Sequence, residues 1–88
     1  MAWNVEFSST ARKQFARIDM MWQRRILDYL QDEVASLENP RSRGKGLPGS
    51  KAGFWRYRVG DFRAICRISD GTVTILVVEI GHRSKVYD

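Results

Sequence analysis

The sequence predicts an α+β fold in the order β-α-α-β-β-β, a mostly antiparallel sheet packed by two N-terminal helices. Three observations carry that expectation. Apolar and polar residues alternate strictly at residues 3–7, apolar residues recur at helical spacing from Ala11 to Leu37, and three alternating segments follow Phe54 with glycine-containing turn pairs between them. A chain of 88 residues can build one core and no second, so residues 1–88 read as a single domain.

Trp3, Val5 and Phe7 alternate with Asn4 and Glu6, as in a half-buried strand, and Ser8-Ser9-Thr10 then supplies N-cap chemistry for a first helix. Ala11, Phe15 and Ile18 form its apolar stripe, Arg12, Lys13 and Arg17 its wet side, and Asp19 caps whatever begins at Met20. In residues 21–37 the apolar positions Trp22, Ile26, Leu30, Val34 and Leu37 mark a second helix, stopped before Pro40. Residues 41–53 hold four glycines, one proline and four bases, which predicts a basic, mobile loop. Strands are expected at residues 54–59, 62–69 and 72–80, joined as an antiparallel meander by the two-residue turns Gly60-Asp61 and Asp70-Gly71.

Composition excludes several classes. With 43% hydrophobic and 28% charged residues the chain is globular and not a disordered tail. One cysteine makes no internal disulfide, and Cys66 with His82 falls short of the four ligands of a structural zinc site, so neither a metal nor a cofactor is expected. Nothing resembles a signal peptide or a membrane span, which predicts a soluble, cytoplasmic protein without membrane association.

The net charge of +5 is unevenly placed. Residues 1–40 carry five bases against six acids, whereas residues 41–88 carry Arg41, Arg43, Lys45, Lys51, Arg56, Arg58, Arg63, Arg67, Arg83 and Lys85 against four acids. Seven of those ten bases are arginine, whose planar fork matches phosphate, so a polyanionic partner is expected. Strand alternation puts Trp55, Tyr57 and Val59 on one face with Phe62, Ala64, Cys66 and Ile68. Arg56, Arg58, Arg63 and Arg67 then share the other face, with Arg58 and Arg63 close across the hairpin. The ordinary alternative is a set of arginine stems that cover a polar sheet face and project into water. Cys66 reads as a small buried hydrophobe without a chemical role. Past the last strand, Gly81-His82-Arg83-Ser84-Lys85-Val86-Tyr87 concentrates groups that move protons and neutralise oxyanions.

The run Trp55-Arg56-Tyr57-Arg58-Val59-Gly60-Asp61-Phe62-Arg63, the preceding Asn39-Pro40-Arg41 and Gly44-Lys45, and the closing Ile80-Gly81-His82-Arg83-Ser84-Lys85-Val86-Tyr87 resemble the RelE toxins of the RelE/ParE superfamily. The likeness covers nearly the whole chain, including the element order. It implies a ribosome-dependent endoribonuclease that cuts mRNA in the A site of the 70S ribosome without metal. It also implies a cognate RelB-like antitoxin that wraps the toxin, and contact with operator DNA only through the antitoxin complex.

Carried over by position, Arg63 corresponds to an arginine that stabilises the phosphate in the transition state, Arg83 to an arginine near the leaving group, and Tyr87 to a terminal tyrosine that orients substrate or base. Arg56 and Arg58 stand where well-studied members carry lysine, and arginine is a poor general base because it does not deprotonate. The resemblance therefore leaves His82 and Tyr87 as the proton carriers. Arg41, Arg43, Lys45, Lys51, Arg56, Arg58, Arg67 and Lys85 are expected to bind RNA phosphates. The alternative is a ParE-like inhibitor of DNA gyrase with the same fold and no nuclease residues; a plain nucleic-acid-binding partner of a repressor is a third reading.

Overall fold

The computed structural model describes residues 2–86. The strand β1 (Asn4–Phe7) leads into helix α1 (Ser9–Ala16), whose N-cap Ser8 accepts a hydrogen bond from the Ala11 N–H at 3.1 Å. Helix α2 (Met20–Asp28) begins at Asp19, which caps the Met21 N–H at 3.1 Å as the sequence predicts. Beyond Asp28 the helix widens into a π turn, Tyr29–Val34, closed by an i→i+5 bond from Ala35 N to Leu30 O at 2.9 Å. The spacing of the apolar residues explains this turn. Steps of four advance about 40° too far per turn of an α-helix, and a wider turn brings Leu30 and Val34 back under the sheet with Ile26. All three side chains are fully buried.

The segment expected to be a mobile loop is built into the sheet. A 3-10 turn, Pro40–Ser42, precedes the two-residue strand β2 (Lys45–Gly46), and a second, Gly49–Lys51, follows it. β2 pairs antiparallel with β3 (Trp55–Val59), Trp55 Nε1 donates to the Arg43 carbonyl at 2.6 Å, and Leu47 is buried. β4 (Phe62–Ser69) and β5 (Thr74–His82) complete the sheet in the order β1-β5-β4-β3-β2, with β1 parallel to β5 and the other pairs antiparallel.

Gly60-Asp61 forms the expected two-residue turn, with Gly60 at φ 58°. A side chain at Gly60 would lie 2.4 Å from the Trp22 ring, so glycine is what lets the hairpin seat against α2. The turn expected at Asp70-Gly71 is longer: Ser69 and Thr74 are the last pair, and the positive φ falls on Val73 at 50° instead of on the glycine. Arg41 reaches this loop with two hydrogen bonds to the Asp70 carboxylate, at 3.0 and 2.9 Å, and holds the Asp70 carboxyl below its ordinary range.

The last strand runs two residues further than expected, through Gly81 and His82, and it carries a bulge. Cys66 pairs with Val77 and Ile65 with Glu79, so Val78 is an extra residue. Ser8 Oγ donates to the Val78 carbonyl at 3.1 Å, and Gln14 Oε1 accepts from the Ile80 N–H at 2.8 Å where β1 no longer covers the edge of β5.

The main core lies between helices and sheet and contains Ala11, Ile26, Leu30, Val34, Tyr57, Ala64, Cys66, Ile75, Val77 and Ile80. Tyr57 is buried with its hydroxyl donating to the Pro40 carbonyl at 2.7 Å, and burial raises its pKa. Burial likewise pushes the Cys66 thiol up, which keeps it protonated and inert, in line with its reading as a small hydrophobe. A second cluster, Leu47, Ile65 and Val86 with Phe54 and Val78, covers part of the opposite face.

Candidate functional site

The arginines do share one face, and the register sets their neighbours: Arg58 lies directly opposite Arg63, and Arg56 opposite Ile65. The face is not the open basic surface the alternation predicts. Leu47 and Val86 pack onto Ile65, and Arg63 is only 4% exposed. Arg58 projects to solvent, whereas Arg67 lays its guanidinium over the Phe54 ring at 5.1 Å. The tertiary fold thus separates one exposed and one buried arginine at the hairpin end from a third that covers apolar surface.

Arg83 stands at the same end of the sheet. Its backbone N–H donates to the Asp61 carbonyl at 2.7 Å, and its Nε lies 3.9 Å from the Asp61 carboxylate. That anchor fixes the backbone and leaves the exposed guanidinium loosely held. Arg41 and Arg43, both expected to bind phosphate, are hydrogen-bonded to Asp70 and Glu33, the latter at 3.1 Å, and each guanidinium is held more basic by its carboxylate. These two brace the β2 segment. Lys45, Arg56 and Arg58 line a shallow hollow of about 220 Å³ together with Tyr29 and Gly44. Lys51 is half-buried in the turn before β3. Tyr87 lies outside the described residues.

His82 is brought to a different place. The bulge at Val78 reverses the alternation of β5, so His82 pairs with Phe62 on the helix-bearing side and packs against its ring at 5.8 Å and 81°. The Ser84 N–H donates to His82 Nδ1 at 3.3 Å, and Ser84 Oγ lies 3.0 Å from the same atom, so the neutral ring keeps its proton on Nε2. His82, Lys85, Phe62, Gln14, Arg17 and Asp19 line a cleft of about 400 Å³ along the open edge of β5. Arg17, at the C-cap of α1, is absent from the set the sequence singles out: in sequence it is one base on the wet side of a helix, and only the packing of α1 against β5 turns it toward His82. Among the described residues, no group of three or more His, Cys, Asp or Glu side chains comes together, and no helix is long and apolar enough to cross a membrane.

A family sequence model described as the ParE toxin of the type II toxin-antitoxin system parDE matches residues 5–87. The chain belongs to this family. The ParE-family toxin is 25% identical over 87 residues to Toxin RelG of Mycobacterium tuberculosis, a match that covers 99% of this chain and 98% of the relative. In fold it superposes with a TM-score of 0.85 on a chain of the RelBE2 toxin-antitoxin complex from Mycobacterium tuberculosis, at 24% identity and covering 97% and 95% of the two chains. It superposes at 0.73 on a chain of the archaeal RelE-RelB complex from Pyrococcus horikoshii, at 22% identity and covering 98% and 100%. The toxin is therefore a member of the RelE/ParE superfamily with the α+β fold expected from its sequence.

Proposed function

We propose that this type II toxin is a metal-independent endoribonuclease that cleaves mRNA in the ribosomal A site and so arrests translation, with a RelB-like antitoxin as its partner and the cytoplasm as its place of action. The observation that carries this reading is the convergence of Arg58, Arg63 and Arg83 at one end of the sheet, two of them facing each other across a hairpin. Arginines gathered this closely make a strongly positive place, and a phosphodiester is an anion whose geometry the guanidinium fork fits.

In the proposed reaction the ribose 2′-OH adjacent to the scissile bond attacks its own phosphorus. The P–O5′ bond breaks, the 2′-OH loses its proton, and the departing 5′ oxygen gains one, leaving a 2′,3′-cyclic phosphate and a 5′-OH. Arg58 and Arg63 neutralise the phosphorane oxygens and Arg83 the leaving oxygen, while Arg56 adds charge beside them. Neutral His82 holds its proton on Nε2 and gives Nδ1 to Ser84, so it has no outward-facing lone pair to accept the 2′-OH proton. The proton steps then fall to Tyr87. With no strong base in the set, the gain comes from positioning and charge, which is why the ribosome is needed to align the nucleotide.

Primer extension on a translating mRNA tests the reading with wild type, Arg63→Ala and a ribosome-free control. Ribosome-dependent cuts in the A site that vanish in Arg63→Ala are expected. A second reading, inhibition of DNA gyrase, draws on the ParE description of the matching family; growth arrest with intact mRNA and loss of gyrase supercoiling would establish it in place of the first.

A further inference from the structure

The edge cleft is not needed by the reaction just described, yet it has the composition of a binding site. It measures about 400 Å³ and is lined by a cation from each of two distant elements, Arg17 from the end of α1 and Lys85 from the C-terminal turn. Among the described residues neither is ion-paired. His82 lines the same cleft and is held by the Phe62 ring and, through Nδ1, by Ser84, which leaves its Nε2–H as a donor. Gln14 contributes an amide whose oxygen already accepts from Ile80, which leaves its NH₂ group as a further donor. Asp19 also lines the cleft, but its carboxylate is engaged as the N-cap of α2, accepting from the Met21 N–H at 3.1 Å. Two cations, an imidazole donor and an amide donor over an apolar floor suit a phosphate with its sugar or base, and suit an apolar ligand poorly.

The position of the cleft selects the ligand. Arg58, Arg63 and Gly81 form one row across β3, β4 and β5, and two strand spacings of about 4.8 Å separate its ends. Next to Gly81 the edge of β5 is open, because β1 stops pairing at Val77, and the cleft begins there. Val86 caps Gly81, and the preceding Lys85 carries positive charge from the arginine row into the cleft. We propose that this cleft is a second RNA subsite, holding the nucleotide next to the scissile one with its phosphate between Arg17 and Lys85 and its sugar or base edge on His82 Nε2–H.

The subsite rests on the nuclease reading, and the test separates the two. The probe is a short, fluorescein-labelled, fully 2′-O-methylated single-stranded RNA, whose binding is followed by fluorescence anisotropy across a salt series. Arg17→Gln with Lys85→Gln, which keeps most of both stems, should weaken binding about tenfold and lower the salt slope by about 0.7, the value for one phosphate contact on a single strand. Lys13→Gln with Arg24→Gln removes the same charge elsewhere on the helices and should leave affinity within about twofold of wild type. His82 is the sole histidine in the chain, so its ring resonances report the cleft directly and should shift when the RNA is added.

An unchanged affinity in the Arg17/Lys85 variant, or an unmoved His82 ring, while Arg58→Gln still weakens binding, overturns the subsite and leaves the nuclease reading in place. Loss of antitoxin binding alone in the Arg17/Lys85 variant assigns the cleft to the antitoxin and likewise overturns it. Absence of RNA binding by the wild type overturns the subsite, whereas the nuclease reading stands or falls by primer extension on ribosomes.

Discussion

Arg58 and Arg63 face each other across the β3–β4 hairpin, yet one projects into water while the other is 4% exposed beside the small cluster built by Leu47, Ile65 and Val86. Two like charges opposed on adjacent strands cost up to about 1 kcal/mol. Replacing the exposed partner should therefore stabilise the fold: Arg58→Gln is expected to gain about 0.5 kcal/mol in urea unfolding and to lose cleavage at the same time. A variant that is both less stable and fully active would show that the pair is not a site held against its own repulsion.

Arg63 and His82 should separate kinetically. Arg63→Ala is expected to slow single-turnover cleavage on the ribosome by about 100-fold or more, the usual cost of losing a transition-state donor. His82→Ala, whose ring opens onto the edge cleft, should cost no more than about tenfold and act mainly through substrate affinity. Equal losses in the two variants would return His82 to the proton-transfer steps.

Gly44 has φ 78°, and a side chain there would come within 2.4 Å of the Arg56 carbonyl and 2.7 Å of Trp55 Nε1. Gly44→Ala should destabilise the protein by about 1–3 kcal/mol and release β2 from the sheet. Amide hydrogen exchange checks this: faster exchange at Leu47, whose N–H donates to the Phe54 carbonyl at 3.1 Å, is the expected signature.

The buried Tyr57 hydroxyl ties β3 to Pro40, and its removal leaves the Pro40 carbonyl without that donor. Tyr57→Phe should cost about 1–2 kcal/mol in chemical denaturation, with the cleavage rate of the folded fraction unchanged. A neutral substitution would mean that the carbonyl finds another donor.

The Arg41–Asp70 clamp should make stability depend on acid. The hydrogen bonds from Arg41 lower the Asp70 pKa, so the contribution is fully present above the ordinary aspartate value of about 3.9 and is lost as pH falls through the lower folded value. Wild type and Arg41→Gln should differ at neutral pH and converge in acid below that range. A gap that persists undiminished at the lowest pH would assign the role of Arg41 to its 3.4 Å hydrogen bond with the Ile68 carbonyl and not to the carboxylate.

By itself the sequence determined what depends on near neighbours. Ser8 and Asp19 cap the residues that directly follow them, period-two runs sort Tyr57 from Arg58, and a two-residue turn at Gly60-Asp61 brings Arg58 opposite Arg63. Each is a local preference that reads at a separation of a few residues. Tertiary structure decided the rest of the site. Lys45-Gly46 has no strand propensity and pairs because Gly44 fits beneath Trp55. Leu47 and Val86, from distant parts of the chain, close over the arginine face beside Arg63. The bulge at Val78 moved His82 to the other side of the sheet from Arg63. One extra residue in β5 reverses every side chain that follows it, and what holds that residue is not its own propensity but the pairing of Val77 and Glu79 with β4 on either side of it and the bond from Ser8 at the start of α1, 70 positions away.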